Sequence, residues 1–196
     1  MEFPTEKFFG YGGVWNPKVR ARSNFMEKLA LLLCCIVSSA VMKPLPADAE
    51  PPPSEVRFFG DASSPISSAV TVPAGRACFF TSGTVPPVLD DKAAPGSRER
   101  FGETKTQAAG CLKRIEALLQ ERGLELRDIV YLRVYLTADK AKDNQCDFKG
   151  WFEAYGQCFG TKENPNKPAR STLGVASLVN PDWLIEIEAV AVYPEK

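Results

Sequence analysis

Between Thr104 and Leu136 the period of the apolar residues changes, and that change limits the folds open to the chain. In "TKTQAAGCLKRIEALLQERG" (Thr104–Gly123), Ala108, Cys111, Leu112, Ile115, Leu118 and Leu119 recur at helical spacing. Gly123 suits the left-handed position just past a helix end. In "DIVYLRVYL" (Asp128–Leu136), Val130, Leu132, Val134 and Leu136 alternate with Tyr131, Arg133 and Tyr135, the mark of a strand with one apolar face. A second helix follows, with Asp147 as N-cap. Phe148, Trp151, Phe152, Tyr155 and Phe159 form its aromatic stripe, which reads as core rather than as a cofactor contact. Shorter strand-like runs flank this centre: "EVRFF" (Glu55–Phe59), "SAVTV" (Ser68–Val72) and "RACFFTSG" (Arg76–Gly83) before it, about Ser171–Leu178 and Trp183–Tyr193 after it. Pro86–Arg100, rich in Pro, Asp, Gly and Lys, reads as a loop. The order β-β-β-α-β-α-β-β predicts an α+β fold, a mixed sheet with two helices on one face. The uncovered face then needs a partner, which a barrel-like homotrimer would supply.

Upstream of this domain the composition changes. From Met26 the chain reads "MEKLALLLCCIVSSAVMKPLPADAE": a charged start, an apolar run from Leu29 to Met42 and an Ala47-Asp48-Ala49 cleavage pattern. These are the parts of a secretory signal peptide, and the run is too short for a comfortable membrane span. Residues 26–49 are therefore expected to direct export, periplasmic or secreted, with cleavage near Ala49 and no stable membrane insertion afterwards. Residues 1–25 form a mixed leader upstream of a better start at Met26, and "EPPPSE" links signal to fold. The single domain is expected over residues 50–196. The first 49 residues hold six of the 24 Lys+Arg and four of the 24 Asp+Glu, so 18 and 20 remain, a net charge of −2. Without a basic patch, a general nucleic-acid binder is not expected.

The chain contains no histidine. Ser-His and Cys-His catalytic pairs and every histidine-ligated metal site are thereby excluded. Cys78, Cys111, Cys146 and Cys158 match no zinc spacing; they pair in up to three ways in an oxidising compartment or remain as small buried residues. The chemistry must come from elsewhere. In "PARSTLGVASL" (Pro168–Leu178) an arginine opens a run of small and apolar residues, and in "WLIEIEAVAVYP" Glu186 and Glu188 interrupt another. One cation and two carboxylates at strand ends form either an ion pair or a binding site. Glu186 and Glu188 share a strand face by the period of two, and the pattern does not distinguish them.

These stretches resemble the RidA/YjgF family, small trimeric enamine/imine deaminases with a chorismate-mutase-like fold. The resemblance spans roughly Pro65–Tyr193 and rests on "TSG" (Thr81–Gly83), "CLKRIEALLQERGLELRDIVYLRVYL", "PARS" (Pro168–Ser171) and "IEIEAVAV" (Ile185–Val192). It implies cofactor-free hydrolysis of a reactive 2-enamino or 2-imino acid to a 2-keto acid and ammonia. It further implies that Arg170 grips the substrate carboxylate, that Glu186 holds the attacking water, and that Ser82 lines the pocket. A guanidinium suits the first task because its two parallel N–H donors match two carboxylate oxygens. Thr172 stands where the family often has cysteine. Two departures change the pocket walls: Ile66 in "SPISSAV" replaces a tyrosine, and Phe152 replaces a common asparagine. Each removes a polar group and adds an apolar one. A protein that binds a small carboxylate without turning it over is therefore the rival expectation; a ribonuclease or chaperone role, also attached to the family, gains nothing from the balanced charge or the missing histidine.

Overall fold

In the computed structural model the residues described are 53–195; the leader and signal expected over residues 1–25 and 26–49 lie outside them. Among the described residues no helix is long and apolar enough to cross a membrane. The main sheet has four strands: β3 (Cys78–Phe80), β4 (Ile129–Leu136), β7 (Ala169–Gly174) and β8 (Ile185–Val192), in the order β3-β8-β4-β7. Strand β8 runs antiparallel to β3 and β4, whereas β4 and β7 are parallel. The sheet is thus mixed, as expected. Strands β1 (Arg57–Phe59) and β2 (Ala69–Thr71) form a separate antiparallel pair, joined to the main sheet by one bridge from Ser67 to Ala169.

Helix α2 (Thr104–Gln120) lies on one face of the sheet. Ala108, Cys111, Leu112, Ile115 and Leu119 are sealed from solvent against Leu132, Val134 and Leu136 of β4 and Ile185, Ile187 and Ala189 of β8. Leu118, grouped with the stripe by spacing, is exposed at its edge. Gly123 takes φ +70° and lets Leu124 N–H donate back to the Leu119 carbonyl, closing the helix as read. Helix α3 (Phe148–Tyr155) starts where the Asp147 carboxylate accepts from Gly150 N–H at 3.0 Å.

Four features differ from the sequence expectation. The Pro86–Arg100 stretch ends in a short helix, α1 (Arg98–Phe101), and the segment before α3 folds into a small hairpin, β5 (Ala138–Asp139) with β6 (Gln145–Cys146). Strand β7 begins and ends earlier than Ser171–Leu178, because its ladder stops where β4 does, at Leu136 opposite Gly174. The aromatic stripe is divided. Trp151, Tyr155 and Phe159 are core, but Phe148 and Phe152 are exposed, and Phe159 lies past the helix end, stacked on Tyr155 at 4.9 Å. The cysteines follow one of the two expected alternatives: Cys78, Cys111, Cys146 and Cys158 are free thiols, and Cys111 has the buried role.

Two predictions arise from this core. Leu132→Ala removes a side chain with no solvent exposure and is expected to cost about 2–5 kcal/mol in urea unfolding. Burial pushes the Cys111 thiol from an ordinary 9.0 up to about 12 and the Tyr155 hydroxyl from 10.0 up to about 12. The folded state therefore holds both protons after the unfolded chain has begun to release them. Their contribution is complete below the ordinary values and declines as pH rises toward the raised ones. Urea midpoints are expected to fall between about pH 9 and 12, and to fall less steeply in Cys111→Ala.

Candidate active site

Arg170 is the second residue of β7 and pairs with Leu132. Since Leu132 faces the helices, so does Arg170. Its guanidinium carbon lies 4.3 Å from the Tyr155 ring centroid, 4.8 Å from Phe152 and 5.4 Å from Trp151. Three rings from one helix thus enclose the cation, which the exposed sheet edge leaves only half-buried. Thr172, two residues on, accepts from Trp151 Nε1 at 3.3 Å and holds that ring in place.

Arg170 is placed for an anion. It forms no ion pair with any carboxylate among the described residues. Its Nη1 is sealed from solvent with no hydrogen-bond partner, and the sealed Tyr155 hydroxyl is likewise unpartnered. Burial pulls the guanidinium pKa below its ordinary value, opposed in part by Tyr155. A partly desolvated cation without a counter-ion gains when an anion reaches it. Nε and Nη2 are not among the sealed, unpartnered atoms, so this edge of the fork holds the donors left for a carboxylate.

Ile66 belongs to the same wall. Ser67, the next residue, bridges to Ala169, and its hydroxyl donates to the Lys167 carbonyl at 2.6 Å. Lys167 Nζ in turn donates to the carbonyls of Ala62 and Ser64, each at 2.7 Å. These bonds tie the segment carrying Ile66 to the start of β7, and Ile66 packs half-buried against the core.

Glu186 lies elsewhere. It stands opposite Tyr135 in β8, on the face without helices. Its carboxylate covers the α-carbon of Gly83, so closely that a β-carbon built there would lie 1.7 Å from Oε1. Ser82, exposed, adjoins that seat. The neighbouring carboxylate is already engaged: Glu188 pairs with Arg133 at 3.0 Å and accepts from the Tyr135 hydroxyl at 3.4 Å. The two glutamates that the strand period left equivalent are thus told apart, since among the described residues Glu186 has no ion pair.

The expected residues therefore form two groups rather than one. Arg170, Thr172, Ile66 and Phe152 gather on the helix-covered face at the sheet edge; Ser82 and Glu186 gather on the open face. Strands β7 and β8 are not neighbours, because β4 lies between them. Two strand spacings across and three residues along place the Arg170 and Glu186 backbones about 14 Å apart, with side chains on opposite faces. An ion pair between them within one chain is excluded. Sequence reasoning missed the roles of Trp151 and Tyr155 around Arg170 and of Gly83 beneath Glu186. The available signals were the i, i+4 spacing of the two aromatics and the glycine ending "TSG".

Comparison with known proteins bears on the family and the fold. The profile of the family described as Endoribonuclease L-PSP matches residues 60–193. A RutC family protein of Pyrococcus abyssi is 39% identical over 140 residues, 70% of this chain and 95% of its own. The 2-iminobutanoate/2-iminopropanoate deaminase of Escherichia coli K12 is 32% identical over 114 residues, 58% of this chain and 78% of its own. The crystal structure of YyfB, a Rid family protein of unknown function from Yersinia pestis, superposes with a TM-score of 0.53 at 22% identity, covering 71% of this chain and 99% of that one. At that identity the likeness is one of fold.

Proposed function

The chain belongs to the Endoribonuclease L-PSP (RidA/YjgF) family, and from that premise we propose that it hydrolyses 2-imino and 2-enamino acids to 2-keto acids and ammonia. One observation carries the proposal: a half-buried guanidinium with an unsealed edge, no counter-ion among the described residues and a sealed, unpartnered Nη1. Arg170 holds the substrate carboxylate through that edge. Glu186 takes a proton from water as its oxygen attacks the imine carbon. That proton passes to nitrogen to give a carbinolamine; Glu186 then takes the carbinolamine hydroxyl proton and delivers it to nitrogen, so that the C–N bond breaks and ammonia leaves as the carbonyl forms. An enamine enters after its double bond shifts to the imine. No cofactor takes part.

Because Arg170 and Glu186 sit on opposite faces, the proposal includes a homotrimer whose sites lie between subunits, one copy supplying Arg170 and the next Glu186. The open face supports this reading: it carries the exposed Phe80 and Leu173 beside the Arg133–Glu188 pair. Complementation tests it. Arg170→Ala and Glu186→Gln, each inactive alone, are refolded together in equal amounts. A random mixture is expected to recover about a quarter of wild-type turnover, since one interface in four then joins two intact halves. No recovery beyond that of the single variants would exclude a shared site.

The second reading, carboxylate binding without turnover, is favoured by Ile66 and Phe152, which replace polar wall groups by apolar ones. Release of 2-keto acid above the uncatalysed rate from enzymatically generated 2-imino acids decides between the two. Export also remains part of the proposal, and N-terminal sequencing of the cellular protein tests it by finding, or not finding, a start at Glu50.

A further inference from the structure

We infer that the Arg170 site is built for 2-keto and 2-imino acids with a large apolar or aromatic side chain, and that Phe152 sets this preference. The inference rests on Arg170 as the carboxylate anchor, though not on turnover. Phe152 lies 4.8 Å from the Arg170 guanidinium yet is 47% exposed. Phe148, one helical turn earlier with its ring 6.3 Å away, is 39% exposed. Neither belongs to the core cluster. Beside the anchor the chain therefore presents two adjacent rings that the fold itself leaves uncovered.

Polar side chains are scarce on this wall. The Thr172 hydroxyl is taken by Trp151, the Tyr155 hydroxyl is sealed, and Ser171 points to the other face, where it bonds Tyr131 at 2.8 Å. On the near side Ile66 adds a half-buried aliphatic group. A substrate held by its carboxylate on the unsealed Nε–Nη2 edge places its own side chain within reach of Phe152. A methyl or hydroxymethyl group leaves the rings wet, whereas a benzyl or isobutyl group covers them. Removal of that apolar area from water favours the larger substrate, and nothing polar on the wall rewards the smaller one.

Isothermal titration of the whole protein with pyruvate and phenylpyruvate tests this without requiring catalysis. Wild type is expected to bind phenylpyruvate at least about tenfold more tightly than pyruvate. In Phe152→Asn the ratio is expected to fall to within about threefold, through weaker phenylpyruvate binding; Phe152→Leu, which keeps an apolar side chain, is expected to retain most of it. Equal affinities in wild type, a preference that survives Phe152→Asn, or a change of oligomeric state in Phe152→Asn with the ratio untouched would overturn the inference. Failure of the anchor shows separately, as binding of both acids that persists in Arg170→Ala. Failure of hydrolysis shows as a phenylpyruvate preference with no turnover of the matching 2-imino acid.

Discussion

Replacement of Arg170 by methionine is expected to weaken 2-keto acid binding by about a hundredfold or more while leaving the thermal midpoint unchanged or higher. The two halves of that result have one cause. In the free protein the guanidinium is half-buried among Trp151, Phe152 and Tyr155 with no carboxylate partner among the described residues, so it contributes cation–π contacts but bears an uncompensated desolvation cost. Methionine keeps the unbranched apolar stem against the same rings and removes the charge. The ligand, however, loses its only charge-assisted fork. Arg170→Lys separates charge from geometry. It keeps a cation, and its expected loss of binding nearly matches that of methionine, because a point-like ammonium cannot reproduce two parallel donors. Differential scanning calorimetry with and without phenylpyruvate reads both effects in one experiment. A large drop in the midpoint of the unliganded methionine variant, with binding intact, would make Arg170 a structural residue.

The sequence announced much of this arrangement but not its handedness across the sheet. Helix α2 and strand β4 follow from periodicity because each has one buried and one wet face, so the apolar positions carry the period directly. The cap at Asp147 and the stop at Gly123 are local hydrogen-bond devices, complete within a few residues, and so equally legible. Helix α3 was harder: with apolar rings on both its core and outer sides, spacing alone does not choose between Trp151–Tyr155 and Phe148–Phe152. The relation of Arg170 to Glu186 is a different kind of fact. Alternation fixes faces within a strand only, and comparing two strands needs their order and register. Here β4 intervenes, and it pairs Arg170 with inward-facing Leu132 but Glu186 with outward-facing Tyr135. That odd offset puts the two residues on opposite faces and removes the ion pair that the sequence pattern left open.

Glu186→Gln is expected to lower kcat by about two to four orders of magnitude with little change in phenylpyruvate affinity, because the amide still fills the seat but no longer accepts a proton from water. Such a loss alone does not show that the position of the carboxylate matters. Gly83→Ala does, and it leaves the chemistry of Glu186 untouched. Its new β-carbon would lie 1.7 Å from Oε1 and 2.6 Å from Cδ, so the carboxylate must move aside. The move involves the far end of a flexible side chain, and Gly83 is not among the positive-φ residues; stability is therefore expected to change little. Turnover is expected to fall by about a hundredfold, the scale associated with misplacing a catalytic group by an ångström. Binding at Arg170, on the opposite face, is expected to persist. Steady-state kinetics beside titration of phenylpyruvate separates the outcomes. Undiminished kcat in both variants would remove Glu186 from the mechanism, whereas loss in Glu186→Gln alone would mean that the carboxylate acts from a position other than its seat over Gly83.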